Sequence, residues 1–240
     1  MATEILRLRG SHVSFIGPSV PADQLAGFLG DDPPRAVAVT CSMPMSLVGA
    51  WSSISALRLI GMCVVCGGRG FGPDGGWGLA LGADHWAPDF ASGADLLLSL
   101  ANEPAPSPRE PAAAPEQIAE VRVLSRKHET LAEEATQGAI ASWPAIRDSD
   151  AAMRATRKDL AATLRVLAAA TLVDDPAIVT DDVQWFEAVL TGHAPPLAFV
   201  PSAFDLLAGV LPAELAHSRE TIRSGKDACS EPGHGTEYSS

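Results

Sequence analysis

Three loops in this sequence carry residue types that suit the binding of a bulky ligand. Residues 40–43 place the hydroxyl groups of Thr40 and Ser42 at the end of an apolar run, and residues 67–76 include six glycines. Residues 81–89 read Leu-Gly-Ala-Asp-His-Trp-Ala-Pro-Asp. Glycine lets the backbone approach a ligand closely. Because the sequence has no nucleophile elbow, metal-protease helix or P-loop, these loops indicate ligand binding rather than catalysis.

The second loop has a spacing that nucleotide-binding proteins also use. Residues 70–75 match G-x-G-x-x-G. A dinucleotide-binding fingerprint follows the first strand of its domain and opens directly into a helix. Here the spacing follows a late strand, contains Pro73 and continues into further glycine. These departures favour close approach to a bulky ligand over the binding of a dinucleotide.

The four cysteines, at positions 41, 63, 66 and 229, bear on redox and metal chemistry. Cys63 and Cys66 form a C-x-x-C pair, which in isolation suggests redox or zinc chemistry. The pair lies in an apolar run that predicts a buried strand, and residues three apart on a strand point to opposite faces. We therefore predict that both thiols are core residues that share neither a metal nor a disulfide, as in a cytoplasmic protein.

Composition limits the partners of the chain. Hydrophobic residues make up 47% of its 240 residues, which predicts folded domains. A net charge of −12 argues against binding of nucleic acid, which needs a concentrated basic surface. No apolar run has the length to cross a bilayer, and charges interrupt the N-terminal run, so we expect neither a membrane span nor a secretory signal. A protein partner is compatible with this composition.

Prolines mark the boundary between two domains. Residues 102–115 carry them at a density that blocks helix and sheet and predicts a linker. The predicted organisation is a first domain over 1–101, a helical domain over 116–223 and a polar, disordered tail over 224–240.

The first domain alternates predicted strands with predicted helices. Strands are expected at 12–16, 36–41, 62–66 and 83–86, and helices at 21–29, 45–60 and from Asp89 to about Leu100. The run 36–41 is expected to be covered on both faces. This alternation predicts a parallel doubly wound sheet, whose ligands bind at the carboxyl ends of the strands. All three loops are expected to converge on that edge.

The second domain is predicted to be helical throughout. Two apolar stripes at helical spacing consist of Val121, Leu124, His128, Leu131 and Ala135, and of Leu160, Leu164, Leu167 and Thr171. Thr180 is expected to cap a third helix that ends at Gly192. Ser202 and Asp205 resemble a capping box for a fourth helix, which is expected to continue to about His217.

Residues 13–21 (Val-Ser-Phe-Ile-Gly-Pro-Ser-Val-Pro), 39–42 (Val-Thr-Cys-Ser), 66–68 (Cys-Gly-Gly) and 81–89 together carry a family resemblance. In this order and at this spacing, they resemble the second half of the cobalamin-binding domain. That domain is shared by corrinoid proteins, cobalamin-dependent mutases and light-sensing cobalamin regulators. The resemblance covers residues 3–100. It implies a flavodoxin-like α/β fold with a pocket for the nucleotide tail of cobalamin, and adenosylcobalamin as the expected cofactor.

The resemblance also implies a set of cofactor-binding residues. In the family, the benzimidazole tail can slide between the sheet and its flanking helices. Thr40 and Ser42 would bond atoms of the tail or its phosphate, and Gly67 and Gly68 would let the tail pass the backbone. The implied set is Gly17, Thr40, Ser42, Gly67, Gly68, Gly82, Ala83, Asp84 and Trp86. Core packing is the alternative role of Trp86.

One element of the family is absent from the sequence. Family members open with a strand and a loop, Asp-x-His-x-x-Gly, whose histidine ligates cobalt, and these 240 residues contain no such motif. Residues 2–9 resemble the back half of the helix that follows that loop. We therefore expect a flavodoxin-like sheet that is truncated at its N-terminus and lacks a central strand. Either the true start lies upstream of Met1 or this copy is degenerate. His85 lies beside the last strand rather than under the corrin, so we predict no metal ligand.

Residues 141–143, 172–176 and 185–195 resemble the C-terminal helical domain that follows cobalamin domains in actinobacterial-type proteins. Some relatives, the photocobilins, hold a linear tetrapyrrole in a globin-like domain. The resemblance implies an all-α domain, globin-like or a bundle, and biliverdin as a second ligand to consider. His128, in an apolar stripe, and His193, in a loop, are the candidate pigment contacts, although a satisfied core histidine is the alternative for His128. Since residues 116–223 contain no cysteine, a bilin would be held non-covalently.

Three functions follow from these observations. The first is a cobalamin-binding sensory or regulatory protein, light-responsive if it also holds a pigment, which signals to a protein partner through its helical domain. The second is a corrinoid carrier protein of a methyltransferase system, which the missing cobalt-ligand loop and the C-terminal position of the helical domain disfavour. The third is a degenerate interaction module without a cofactor. The sensor is the favoured interpretation.

Overall fold

A computed structural model describes residues 2–18, 20–30, 33–100, 112–182 and 199–229. The chain divides into two compact units, Met1–Pro115 and Glu116–Ser240. The first unit combines strands with helices, and the described part of the second unit is helical. An α/β unit followed by a helical unit is therefore the architecture. No helix within the described ranges is long and apolar enough to span a membrane.

The described residues of the first unit form one small parallel sheet. Its strands are β1 (Ala36–Thr40), β2 (Cys63–Gly67) and β3 (His85–Ala87), in the order β1-β2-β3. The register pairs Ala36 with Cys63 and Val65 with His85. These strands confirm the runs predicted at 36–41 and 62–66. The run predicted at 83–86 is also a strand, but it begins two residues later, at His85.

Five helices accompany the sheet over the described part of the first unit. They are α1 (Ala2–Leu8), α2 (Leu25–Leu29), α3 (Leu47–Leu59), α4 (Gly76–Ala80) and α5 (Phe90–Leu100). Short 3-10 turns cover Ala22–Gln24, Pro44–Ser46 and Arg69–Phe71. Asp89 caps α5 as predicted, since its carboxylate accepts a hydrogen bond from the Ser92 backbone N–H at 2.8 Å.

The two strand cysteines lie on opposite faces of the sheet, as their spacing predicts. Cys63 belongs to a buried apolar cluster with Leu100 of α5. The Cys66 sulfur lies instead against α4, where a Cβ built on Gly78 would collide with it. Neither cysteine forms a disulfide, both are buried, and burial raises the pKa of Cys66 to about 12. Both are therefore core side chains, and the Cys66 thiol is neutral.

Two predictions for the first unit are wrong. Residues 12–16 form no strand, and the Phe15 side chain is 73% exposed. An alternating run makes a strand only when a neighbouring strand bonds its backbone, and the described residues supply none here. The strand β1 is not covered on both faces either, because Ala38 and Thr40 are exposed. These residues are two apart in the strand and lie on the same face of the sheet, which is therefore open at these positions.

The described part of the second unit contains six helical segments. They are α6 (Pro115–Ser142), α7 (Pro144–Arg147), α8 (Asp150–Val173), α9 (described over 177–182), α10 (Phe199–Val210) and α11 (Ala216–Cys229). The predicted stripe of α8 is buried at all four positions. The stripe of α6 is buried except at His128, whose side chain is 25% exposed.

The predicted caps of the later helices are wrong. Thr180 lies inside α9, which begins earlier because the Asp175 carboxylate accepts a hydrogen bond from the Ala177 N–H at 3.0 Å. Ser202 likewise lies inside α10. That helix ends at Val210, shortly before Pro212, because a proline disfavours helical backbone at the residue before it. Gly192 lies outside the described residues.

The predicted C-terminal tail is wrong in its first part. A separate helix, α11, begins at Ala216 and continues to Cys229. Residues 224–229 are therefore helical, although they are polar. The remaining residues assigned to the tail, 230–240, lie outside the described residues.

A buried carboxylate of α6 caps α11. Glu120 accepts hydrogen bonds from the backbone N–H groups of His217 and Ser218, at 3.0 and 2.8 Å, and from the Ser218 hydroxyl at 2.8 Å. Its Oε1 also lies 3.0 Å from His217 Nδ1. These contacts satisfy N–H groups that have no partner within their own helix. Although burial raises the pKa of Glu120, the hydrogen bonds from Ser218 and His217 outweigh it and lower this pKa overall.

We predict that Glu120→Ala lowers the free energy of unfolding by about 2 kcal/mol, because it leaves donors of α11 without an acceptor. Because the folded pKa of Glu120 is below its ordinary value of 4.5, its stabilisation is present above that pH and is lost as the pH falls through the folded pKa. Thermal unfolding followed by circular dichroism should therefore show a difference between wild type and Glu120→Gln that shrinks below about pH 4.5. The exposed Glu116→Gln is the control. A difference that stays constant down to pH 3 would contradict the prediction.

Candidate functional site

The carboxyl ends of the strands bring the first two predicted loops together. Thr40 pairs with Gly67 in the register of β1 and β2, and the Cys41 N–H donates to the Gly67 carbonyl at 3.0 Å. The Gly70 N–H returns a hydrogen bond to the Cys41 carbonyl at 2.9 Å. We call residues 40–43 and 67–71 the carboxyl edge. Its juxtaposition agrees with the expectation for a parallel sheet.

The hydroxyl residues of the carboxyl edge face solvent. Thr40 and Ser42 are both exposed. Cys41 between them is buried, and its thiol donates to the Met43 carbonyl at 3.2 Å. Burial raises the pKa of the Cys41 thiol, so this sulfur is neutral and structural. The two hydroxyls are thus free to bond a ligand while the residue between them anchors the loop.

The glycines of the carboxyl edge make close contact with the protein itself. Gly68 has a φ of 100°, and a Cβ built on it would collide with the Cys41 carbonyl. A Cβ on Gly70 would lie 2.6 Å from the Cys41 sulfur. These two glycines are therefore required for the two loops to meet. Gly67 is less constrained, since its Cβ would lie 3.4 Å from the Ala87 carbonyl.

The third predicted loop does not converge on the carboxyl edge. Gly82, Ala83 and Asp84 precede β3, so they lie at the opposite, amino end of the sheet. The Asp84 N–H donates to the carbonyl of Val64, which is near the start of β2, at 2.9 Å. Expecting 81–89 to act as one loop was wrong, because residues 85–87 within it form β3 and separate its two ends.

Asp84 is committed to a buried ion pair. Its Oδ2 lies 2.7 Å from Arg58 Nη1 and accepts the Val64 N–H at 2.8 Å. The two charged side chains are 5% and 8% exposed. Arg58 also donates to the Met62 carbonyl at 3.2 Å. This carboxylate therefore joins the end of α3, the start of β2 and the turn before β3, and it is not available to a ligand.

Trp86 lies within β3, paired with Cys66. Its indole covers Gly75, where a Cβ would collide with the ring. The indole Nε1–H is buried and has no hydrogen-bond acceptor among the described residues. Core packing is thus one role of this side chain. The unsatisfied donor is a feature that packing alone does not explain, since buried polar groups are normally bonded.

The remaining candidates are dispersed. Gly17 has a φ of 87°, and a Cβ built on it would meet no described atom within 4 Å. His85 belongs to β3 rather than to a loop. The Nδ1 of His128 lies 2.9 Å from the Ser125 carbonyl of the same helix. His193 lies outside the described residues.

Metal binding has no preformed site in the described part of the chain, where no group of three or more His, Cys, Asp or Glu side chains could hold an ion. A corrinoid fits the residues present in part. The exposed hydroxyls of Thr40 and Ser42, beside Gly67, suit the polar nucleotide tail. Gly82, Ala83 and Asp84 are separated from them by the length of β3.

Arg58 was not among the residues that sequence reasoning selected. A signal for it existed, because Arg58 is the sole charged residue in the run 45–60. A single charge near the end of an apolar helix indicates a buried partner. Glu120 had no such signal, since it is one of several acids on α6.

Comparison with known proteins adds no relative. No protein-family model matches the chain, and a search of curated proteins finds no match.

We predict that Asp84→Ala lowers the free energy of unfolding by about 3–5 kcal/mol, because it leaves Arg58 buried without its counter-ion. Urea unfolding followed by tryptophan fluorescence measures this change, since three tryptophans lie in the first unit. Asp95→Ala is the matched control. It removes the partner of Arg9 from an exposed ion pair, whose loss is expected to cost less than about 1 kcal/mol. Equal effects of the two variants would show that burial of the Arg58 pair does not matter.

Proposed function

We propose that this chain is a cobalamin-binding sensory or regulatory protein whose first unit is a flavodoxin-like corrinoid module and whose helical unit passes the signal to a protein partner. The observation that carries the proposal is the carboxyl edge of a parallel sheet, where Thr40 and Ser42 present free hydroxyls next to Gly67. Ligands of open α/β sheets bind at this edge. We infer the class of ligand from the order and spacing of the four segments that resemble the cobalamin-binding domain.

The residues of the chain divide into those that contact the ligand and those that support the site. Thr40 and Ser42 donate hydrogen bonds to the phosphate or ribose oxygens of the nucleotide tail. The buried indole N–H of Trp86 could donate a hydrogen bond to a nucleotide tail inserted beside it. Asp84 and Arg58 hold the sheet together from its other end. When bound, the corrinoid supplies a cobalt–carbon bond that responds to light.

A pigment bound in the helical unit would extend the range of light to which the protein responds. His128 is half-way along α6 and partly exposed between the buried residues Leu124 and Leu131. A planar tetrapyrrole needs an apolar surface with a polar contact of this kind. Biliverdin, held non-covalently, is the pigment that the proposal names.

A second candidate function has its own support. Gly68 and Gly70 pack closely against Cys41, so contacts within the protein already join the two loops of the carboxyl edge. Exposed apolar side chains such as Phe15 and Phe28 occur on the same unit. These observations favour an interaction module that has no cofactor, and the binding experiment separates the two functions.

We expect the full chain to bind about one equivalent of adenosylcobalamin or hydroxocobalamin, measured by equilibrium dialysis and by the visible absorption of the corrin. Thr40→Val combined with Ser42→Ala should weaken binding by about tenfold, because each neutral hydrogen bond contributes about 0.5–1.5 kcal/mol. Ser53→Ala, which removes a hydroxyl that bonds only within α3, is the matched control. Full retention of binding by the double variant would move the site elsewhere, and no binding by wild type would leave the interaction module.

We expect biliverdin to give the purified chain a visible absorption band that shifts on illumination, and His128→Ala to reduce the amount bound. His12→Ala, in an exposed position of the first unit, is the control. Pigment uptake that is identical in wild type and His128→Ala would remove this histidine from the proposal.

A further inference from the structure

Charged side chains connect α6 and α8 at one level of the helical unit. The Nη1 of Arg157, on α8, lies 3.9 Å from the Glu129 carboxylate of α6. The Nε of the same arginine lies 3.8 Å from the Glu133 carboxylate. The segment of α6 between these two acids is therefore level with Arg157.

A second connection lies nearer the start of α6. The Ser218 hydroxyl of α11 donates to Glu120 Oε2 of α6 at 2.8 Å and lies 3.3 Å from Thr171 Oγ1 of α8. Early residues of α6 are thus level with late residues of α8, and later residues of α6 are level with early residues of α8. The two helices are therefore antiparallel over residues 120–133 and 157–171.

Three arginines lie between these two connections. Arg122 and Arg126 belong to the stripe of α6 that continues to Glu129, at spacings of four and three residues. Arg165 lies two i, i+4 steps beyond Arg157, about 12 Å further along α8 at about 1.5 Å per residue. This distance places Arg165 level with the segment from Arg122 to Arg126. We call Arg122, Arg126 and Arg165 the arginine cluster, and all three residues are exposed.

The charge of the arginine cluster is not neutralised within the described ranges, where none of its three members forms an ion pair. By contrast, six other arginines of the same ranges pair with a carboxylate, and they are Arg7, Arg9, Arg58, Arg147, Arg157 and Arg223. No acid occurs in residues 161–169 around Arg165. The cluster is thus a local reversal of sign in a chain of net charge −12, and an anion bound there would relieve the repulsion among its members.

We propose that the arginine cluster is the docking surface for an acidic segment of a protein partner, whose carboxylates pair with Arg122, Arg126 and Arg165. The planar guanidinium group presents two parallel N–H donors that match the two oxygens of a carboxylate. This inference rests on the proposed function, in which the helical unit signals to a protein partner, and it gives that partner a chemical class.

Other anionic partners fit the arginine cluster less well. Affinity for nucleic acid depends on neutralising many phosphates, and three arginines on a chain of net charge −12 neutralise few. Basic surfaces that hold anionic membranes contain about four to eight lysines or arginines. A short acidic segment needs no more cations than the cluster provides.

Fluorescence anisotropy of a fluorescein-labelled peptide of glutamate and alanine, titrated at low salt with the cofactor-free full chain, tests the proposal. Wild type should bind this peptide, and binding should weaken as salt is added, because the paired charges are exposed to solvent. Arg122→Gln combined with Arg126→Gln and Arg165→Gln should weaken binding by about tenfold, since each exposed charge pair contributes little and three act together.

The matched control removes the same net charge elsewhere. It combines Arg7→Gln, Arg147→Gln and Arg223→Gln, all at exposed arginines that already pair with a carboxylate of the chain. This control should change peptide binding by less than about twofold, because those charges are already paired. An effect of the overall charge, rather than of the arginine cluster, would weaken binding equally in both triple variants.

Wild type that does not bind the peptide, full retention of binding in the cluster variant, or an equal loss in the control overturns the proposal. Tighter binding of a DNA duplex or of phosphatidylserine vesicles than of the peptide, lost in the cluster variant, would assign the surface to another class of partner and overturns it too. Circular dichroism establishes that each variant is folded. If the triple variant fails to fold, Arg126→Gln with Arg165→Gln should still weaken binding by about threefold.

Failure of this proposal is distinguishable from failure of cofactor binding, because every measurement is made without cobalamin or biliverdin. Peptide binding by a chain that takes up no cobalamin would support the docking surface and remove the cobalamin sensor. Cobalamin uptake by a chain that does not bind the peptide would do the reverse.

Discussion

The Asp84 carboxylate is the group on which the first unit depends. One of its oxygens accepts hydrogen bonds from the Arg58 guanidinium and from the Val64 N–H. A single buried charge therefore connects α3, β2 and the turn before β3. A buried carboxylate is tolerated only when it is paired and hydrogen-bonded. An arrangement that separated these elements would leave a buried charge unpaired, which is costly. The pair lies at the amino end of the sheet, because Asp84 directly precedes β3.

The buried ion pair and the exposed hydroxyls lie at opposite ends of the strands. Residues at the amino end, with Asp84, hold the elements together, while the carboxyl edge keeps the hydroxyls of Thr40 and Ser42 exposed. Close glycine contacts at Gly68 and Gly70 give the carboxyl edge its shape without using those hydroxyls. A ligand at this edge would meet a preformed loop pair, so little ordering entropy would oppose its binding.

The second unit also contains a buried carboxylate that bonds a distant element. Glu120 is buried on α6 and accepts the first N–H groups of α11, nearly a hundred residues further along the chain. In both units an inward carboxylate satisfies backbone donors of a distant element. Such contacts restrict the packing of the elements more than apolar burial does, because hydrogen bonds require specific distances and angles.

Sequence patterns determined the elements whose cause is local. The apolar runs of β1 and β2, the stripe of α8 and the capping of α5 by Asp89 follow from side chains near one another in the chain, and these predictions are confirmed. Only the tertiary structure decided that residues 12–16 lack a strand partner, that Asp84 turns inward to Arg58 and that Glu120 rather than a local residue caps α11. The physical reason is that strand pairing, buried charges and distant caps depend on which elements meet in space. Local periodicity does not carry that information.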